Sequence, residues 1–170
     1  MLMLEAEKKR IVTNETRLKA LLPRLHALIS VSGSRPDISH FEGLDGLQTM
    51  RAVFFGTKAT ELLVVGSPER YEEVVGKDEG VVHSFHLAKS KVQLKQIVLH
   101  TGRRPEMTVA SGKYRYIKSE DLESGEIAIF GDFIALITYL DSPQGFLVKS
   151  RELARVARIM FRAAWKGASA

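Results

Sequence analysis

The chain has 170 residues, 45% of them hydrophobic and 26% charged, which is the composition of one globular domain of ordinary size. It contains no cysteine, so disulfides, thiolate nucleophiles and thiolate metal sites are excluded. No apolar run approaches the roughly 18 residues of a membrane-spanning helix, and the first residues lack the apolar centre of a secretory signal. We therefore expect a soluble, cytoplasmic protein with no membrane partner.

Positive charge is concentrated at the two ends of the chain. The formal net charge is +5, to which residues 1–30 contribute +3 and residues 150–170 contribute +4, whereas residues 31–149 contribute −2. A nucleic-acid-binding core would carry positive charge on the folded surface that meets phosphate. This distribution argues against direct DNA binding by the central region. The two basic ends could still bind an acidic partner.

Hydrophobic residues recur every seven positions near the amino end. They are Leu4, Ile11, Leu18 and Leu25, joined late by Leu22. This spacing predicts a long helix of coiled-coil type that pairs with a second copy, although Pro23 should kink it or start a new helix. The alternative is that the late half packs on the domain and the early half is a solvated tail. We predict a dimerisation helix and linker over residues 1–34, followed by an α/β domain over residues 35–170.

The first half of the predicted domain alternates strands and helices. A short strand is expected over Asp37–Glu42, followed by a helix that carries an apolar stripe from Leu47 to Phe54. The apolar run Glu61–Gly66 is typical of a strand buried on both faces of a parallel sheet. Ser67-Pro68 predicts a helix start, a second helix should reach about Lys91, and a strand is expected over residues 92–99.

The second half predicts a meander of strands and one final helix. A long loop spans residues 101–113, and a short strand follows over residues 114–117. Strands over residues 126–130 and Phe133–Tyr139 flank Gly131-Asp132, which predicts a two-residue hairpin, and residues 145–149 supply the next strand. The last helix opens at Ser150. Its apolar stripe is Leu153, Val156, Ala157, Met160, Phe161, Ala164 and Trp165, opposite a basic ridge of Arg151, Arg155, Arg158, Arg162 and Lys166.

Motifs that carry chemistry are missing from the sequence. There is no Gly-x-Ser-x-Gly, no Ser-x-x-Lys and no nucleotide-binding glycine loop. His83 and His86 could share one helix face near His100, but the spacing favours ordinary surface histidines over a metal site. Arg103 and Arg104 could hold a phosphate or carboxylate, or simply form a solvated basic loop. We expect no catalytic residue, no metal and no cofactor, and a weak ligand-binding role for His83, His86 and the two arginines.

Four segments, in this order along the chain, resemble a known family. They are a helix ending Leu21-Leu22-Pro23, the segment 35–43 ending Phe41-Glu42-Gly43, the segment 130–137 containing Gly131-Asp132, and a terminal helix containing Phe161 and Trp165. Together they look like the effector portion of TrmB-like transcriptional regulators, whose central domain is similar to one phospholipase D repeat. The resemblance spans nearly the whole chain. It implies a phospholipase D-like mixed sheet flanked by helices, in a dimeric regulator with a winged-helix DNA-binding domain ahead of the long helix.

The sequence departs from that family pattern in two respects. The long helix begins almost at Met1, so we expect the winged-helix domain to be missing. The phospholipase D signature His-x-Lys is also missing, because none of the five histidines has a lysine two places later, so that route to phosphodiester hydrolysis lacks its nucleophile.

We therefore expect a non-catalytic sensor and dimerisation domain that binds a small-molecule effector and pairs as a homodimer, or as a heterodimer with a full-length regulator. The rivals are a nucleic-acid-binding module that uses the basic terminal helices, and a degenerate phosphodiesterase-like enzyme.

Overall fold

The computed structural model describes residues 36–170, with the exception of residues 108, 110, 122 and 123. Residues 36–170 form one compact unit. The predicted dimerisation helix, with Leu4, Ile11, Leu18, Leu22 and Leu25, lies outside the described residues. The elements are β1 (Asp37–Glu42), α1 (Gly43–Gly56), β2 (Glu61–Gly66), α2 (Pro68–Val75), α3 (Lys77–Lys89), β3 (Gln93–His100), β4 (Lys113–Lys118), β5 (Gly125–Phe130), β6 (Phe133–Tyr139), β7 (Pro143–Lys149) and α4 (Arg151–Gly167).

The strands form one mixed sheet, as the sequence predicts. Its order is β1-β7-β6-β5-β2-β3-β4, with seven strands in the described part of the chain. β2, β3 and β4 run parallel, whereas the other neighbours pair antiparallel. The parallel pair β2 and β3 is joined by α2 and α3, because parallel strands need a crossover connection. The described elements are thus a mixed sheet with helices, the coarse architecture expected from the sequence.

Local signals place several of these elements where the sequence predicts them. The Ser67 hydroxyl accepts the Arg70 backbone N–H at 3.4 Å and Pro68 occupies the first turn of α2. Ser150 caps α4 in the same way, accepting from the Leu153 N–H at 3.3 Å. Gly131 turns the β5–β6 hairpin at φ +48°, a left-handed conformation that glycine adopts without steric cost.

The two faces of the sheet carry separate cores. One face, called here the α1 face, packs against α1, α2 and α3, and its core includes Phe41, Leu47, Met50, Phe54, Leu62, Val64, Leu94, Ala128 and Phe130. The other, the α4 face, packs against α4 through Leu63, Ile97, Ile129, Ala154, Phe161 and Ala168. Side chains of a strand alternate between the faces, so residues 126, 128 and 130 of β5 share the α1 face.

The sequence-based interpretation of α4 is partly wrong. Phe161 is buried and Ala157 and Trp165 pack on the core as expected, but Leu153, Val156 and Met160 are exposed. Ala154, outside the predicted stripe, is fully buried, because its small side chain lets the helix approach the sheet closely. Arg158, assigned to the solvated ridge, is partly buried and donates to the Gly131 carbonyl oxygen. The side of α4 that packs on the sheet therefore differs from the side that its apolar residues predict.

The apolar positions of α3 are also less buried than the sequence suggests. Val82 and Phe85 are 49% and 56% exposed, whereas Leu87 is buried.

None of the helices that the structure describes combines the length and the apolar composition that a membrane span requires.

Candidate ligand-binding cavity

A cavity of about 360 Å³ lies between the α1 face of the sheet and the three helices that cover it. Apolar side chains form most of its wall. They include Leu47, Met50, Phe54, Leu62, Val64, Leu87, Leu94, Met107, Val109, Ala128 and Phe130. A volume of this size and a mainly apolar lining are typical of small-molecule sites, in which a few polar groups fix the orientation of the ligand.

Arg51 of α1 supplies the buried positive charge of the cavity wall, whereas Lys77, which also lines the cavity, is exposed. Its side chain is only 12% exposed, and its Nη1 donates to the Glu79 carboxylate of α3 at 3.1 Å. Its Nη2 donates to the Tyr71 hydroxyl of α2, and the guanidinium lies 5.7 Å from the centre of the Tyr71 ring. Burial raises the pKa of Tyr71 to about 12, so the phenol is neutral at physiological pH. Arg51 therefore joins all three helices of this layer and has Glu79 as its counter-ion.

Glu126 brings a carboxyl group onto the apolar side of β5. It occupies the α1 face with Ala128 and Phe130 and lines the cavity, and its carboxyl group accepts a hydrogen bond from the Tyr139 hydroxyl of β6. Burial raises the pKa of Glu126 to about 7, although the charge of Arg51 and the bond from Tyr139 act in the opposite direction. Glu126 is therefore close to half ionised near neutral pH, with loss of water as the main cause.

His83 of α3 contributes a polar atom that lacks a hydrogen-bond partner among the described residues. Its Nδ1 is buried and has no hydrogen-bond partner among the described residues. Burial, followed by the positive charge of Arg51 and then by His86, lowers the pKa of His83 to about 3. The ring is therefore neutral at pH 7. A buried polar atom left unpaired is uncommon in native proteins and often marks a site for water, an ion or a ligand.

The histidines predicted as weak ligand-binding residues differ in their surroundings. His83 is half-buried and lines the cavity, whereas His86 is exposed. His100 is buried in β3, where its Nδ1 lies 2.9 Å from the Gly102 carbonyl oxygen. Within residues 36–170, as far as the structure describes them, no group of three or more metal-ligating side chains is placed to hold a metal ion.

The two predicted arginines lie in the loop between β3 and β4 and do not line the cavity. Arg104 donates to the Ala170 carbonyl oxygen at 2.6 Å and to the Ser169 hydroxyl at 2.9 Å. Its guanidinium also lies 4.5 Å from the centre of the Tyr116 ring. Arg103 is exposed. Arg104 thus fastens the carboxyl end of the chain to the edge of the sheet.

The seven residues named for the family resemblance lie in the core, at a helix start, in a hairpin turn and in α4. Phe41 is buried in the core of the α1 face, Glu42 is the N-cap residue of α1, and Gly43 follows it at φ +70°. Gly131 and Asp132 form the hairpin turn, where the Asp132 carbonyl accepts the Ser150 N–H at 2.9 Å. The rings of Phe161 and Trp165 stack at 5.6 Å in α4. None of these seven residues lines the cavity.

Sequence reasoning missed the polar residues that distinguish this cavity. Arg51, Tyr71, Glu126 and Tyr139 come from four different elements, so no spacing along the chain connects them. One signal was present in the sequence. Glu126 precedes Ala128 and Phe130 in a strand of period two, which puts a carboxyl group on an apolar face.

The comparisons with known proteins identify the fold class. No model of a known protein family and no curated protein matches the sequence. NucT from Helicobacter pylori is 7% identical over 79% of this chain and 99% of that chain, with a TM-score of 0.54. A phospholipase D family member, Nuc from Salmonella typhimurium, is 11% identical over 79% of this chain and 97% of that chain, with a TM-score of 0.50. The chain thus has a phospholipase D-like fold, and identities this low say nothing further about it.

A third solved structure is TrmBL2, an archaeal chromatin protein whose structure shows a novel mode of DNA binding. It is 12% identical, with a TM-score of 0.49, and the match covers 97% of this chain. The chain spans 65% of the length of TrmBL2, which is less than two thirds.

Proposed function

We propose that this protein is a non-catalytic, cytoplasmic sensor domain, similar to the effector part of a TrmB-like transcriptional regulator, that binds a small molecule in the cavity. In this proposal residues 1–34 pair with a second copy or with a full-length regulator. The observation that carries the proposal is the cavity of about 360 Å³, whose apolar wall contains a buried, unpaired His83 Nδ1. An apolar site with few polar groups suits binding better than bond cleavage.

The sequence supports the non-catalytic part of the proposal. It contains no His-x-Lys pair, the signature of phospholipase D chemistry, and no cysteine. Two of the charged groups in the cavity wall are already engaged, because Arg51 pairs with Glu79 and Glu126 accepts a hydrogen bond from Tyr139. A nucleophile with its own base would be needed for hydrolysis.

A route from ligand to regulation follows from the connectivity of the chain. Leu47, Met50 and Phe54 of α1 line the cavity, and α1 follows directly on β1, which continues the amino-terminal segment. A ligand that favours one position of α1 would thereby bias the pairing of that segment, because a ligand shifts an equilibrium by its difference in affinity for the two states.

The proposal is tested by a thermal-shift screen of the full chain against small molecules of neutral, cationic and anionic character. We expect at least one compound to stabilise the protein and to change its molar mass in light scattering. The variant Ala128→Leu, which extends a buried wall residue into the cavity, should lose this response. The control Ile127→Leu, on the same strand but 43% exposed on the opposite face, should keep it. Binding that is equal in both variants, or binding without any change in molar mass, contradicts the proposal.

A further inference from the structure

We propose that the ligand of the cavity is a small organic amine, with its ammonium group beside Glu126 and its apolar part along the remaining wall. This inference rests on the proposed sensing function and names its ligand class.

The apolar part of the amine is required by the wall of the cavity. Leu62, Val64, Leu94 and Ala128 line it from the sheet, and Leu87 lines it from α3. Water in contact with such side chains is unfavourable, so a hydrocarbon group that replaces it contributes binding energy in proportion to the apolar surface that it covers. A ligand without an apolar part would leave most of this wall uncovered.

The positive charge of the ligand is required by the balance of charges in the wall. Arg51 is the cation whose charge reaches both Glu126 and His83, but it already has Glu79 as its counter-ion at 3.1 Å. When Glu126 ionises, its negative charge is buried without a counter-ion of its own, which is costly in a low-dielectric site. An ammonium group supplies that counter-ion. A carboxylate or phosphate ligand would instead add a further negative charge to a wall that already holds Glu72 and Glu126 against Arg51 and the exposed Lys77.

Hydrogen bonding favours the same head group. The Glu126 carboxylate accepts from Tyr139 and keeps further lone pairs, and the buried Nδ1 of His83 has no partner among the described residues. Since the His83 ring is neutral, Nδ1 can accept a hydrogen bond when the ring proton is on Nε2. A primary ammonium group has three donors and no acceptor, so it suits a wall that offers these acceptors.

The proposal predicts that binding depends on pH. The charged and titratable groups that face Glu126 or line the same cavity are Arg51, Tyr71, Glu72, Lys77, His83, Tyr114 and Tyr139. In the free protein Glu126 has a pKa of about 7, so it must lose its proton before it pairs with an ammonium group. The ionised fraction of a carboxyl group with this pKa is roughly tenfold smaller at pH 6 than at pH 8, so amine binding should be weaker at pH 6 by the same factor. Amine binding near pH 7 should also release protons to the buffer.

The experiment compares three probes of similar length on the full chain by isothermal titration calorimetry. They are hexylamine, hexan-1-ol and hexanoate, each titrated at pH 6 and pH 8 in two buffers that differ in ionisation enthalpy. We expect hexylamine to bind at least tenfold more tightly than hexan-1-ol at pH 8, to weaken at pH 6 and to release protons. Hexanoate should bind more weakly than either.

Two matched variants locate the ammonium group. Glu126→Gln should weaken hexylamine binding by about 10- to 100-fold, as expected for the loss of a hydrogen bond to a charged group, and should abolish the pH dependence. It should leave hexan-1-ol nearly unaffected. The control Glu120→Gln removes an exposed carboxylate that does not line the cavity and should retain amine binding with its pH dependence. The comparison of probes on the unmodified chain is decisive by itself if Glu126→Gln does not fold.

The outcomes separate this inference from the proposed function. Equal or tighter binding of hexan-1-ol or hexanoate, or amine binding that is the same at pH 6 and pH 8, overturns the amine inference. If a neutral or anionic compound from the screen then binds and changes the molar mass, the sensing function still stands. Conversely, pH-dependent amine binding that leaves the molar mass unchanged supports the ligand class and refutes the sensing function. The absence of binding by all three probes overturns the amine inference.

Discussion

The substitution Glu126→Gln should stabilise the fold, and by an amount that depends on pH. Burial raises the pKa of Glu126 from 4.5 to about 7. The folded state therefore holds this proton more tightly than the unfolded state does. Between these two values the folded protein binds more protons, so stability falls as the pH rises through this window and levels off above it. Glutamine has no proton to lose and can still accept the hydrogen bond from Tyr139.

The magnitude follows from the size of the pKa change. A tenfold change in proton affinity corresponds to about 1.4 kcal/mol, so a rise from 4.5 to about 7 lowers the free energy of unfolding by about 3 kcal/mol once Glu126 is ionised. The stability gain of Glu126→Gln should therefore be near zero at pH 4.5 and about 3 kcal/mol at pH 8. This value is of the same order as the cost of other buried, poorly compensated polar groups.

Urea unfolding followed by circular dichroism at pH 4.5, 6, 7 and 8 measures this difference. The control Glu120→Gln removes an exposed carboxylate and should change the free energy of unfolding by less than about 0.5 kcal/mol at each pH. A stability difference for Glu126→Gln that is the same at pH 4.5 and pH 8 would refute the reasoning, as would destabilisation throughout. Either result would mean that the carboxyl group remains hydrated in the folded protein.

Three further predictions concern other parts of the chain. Burial lowers the pKa of His83 to about 3, so the unfolded state takes up this proton at a higher pH than the folded state, and the protein should lose stability as the pH falls below about 6.5. The substitution His83→Asn should reduce the loss of stability between pH 7 and pH 4 that urea unfolding measures. Gly145→Ala places a Cβ against a backbone oxygen of the neighbouring strand and should cost about 1–3 kcal/mol, whereas Gly167→Ala, with open space around it, should be neutral in thermal unfolding. The double substitution Ile11→Lys and Leu18→Lys should halve the molar mass in light scattering if the heptad positions pair two copies, and an unchanged dimer would contradict that pairing.

The sequence by itself determines the local structure of the described residues well. The capping residues Ser67 and Ser150 mark the starts of α2 and α4, because their side chains accept backbone N–H groups that a helix start leaves unpaired. Gly131 marks the β5–β6 hairpin because its left-handed φ is strained for other residues. These signals depend on neighbours in the chain and can be read without knowledge of the fold.

The tertiary structure alone decides the rotation of α4. The apolar pattern of this helix would bury Leu153, Val156 and Met160, but the fold buries Ala154 and turns Arg158 toward the hairpin. Close packing on a particular sheet surface outweighs the hydrophobic periodicity here, because the small Ala154 side chain allows closer contact than the larger residues do. A periodic pattern specifies an apolar side of a helix to within one or two positions, and the partner surface selects among them.

The chemistry of the cavity is also a product of the tertiary structure. Arg51, Tyr71, Glu126 and Tyr139 are ordinary residues in their own elements, and they meet only because the crossover helices fold back over the sheet. The raised pKa of Glu126 and the lowered pKa of His83 both arise mainly from the removal of water by that layer. Burial depends on contacts that are distant in sequence, so local patterns establish the helices and strands, whereas the assembled layers establish which side chains lose their water and what they can bind.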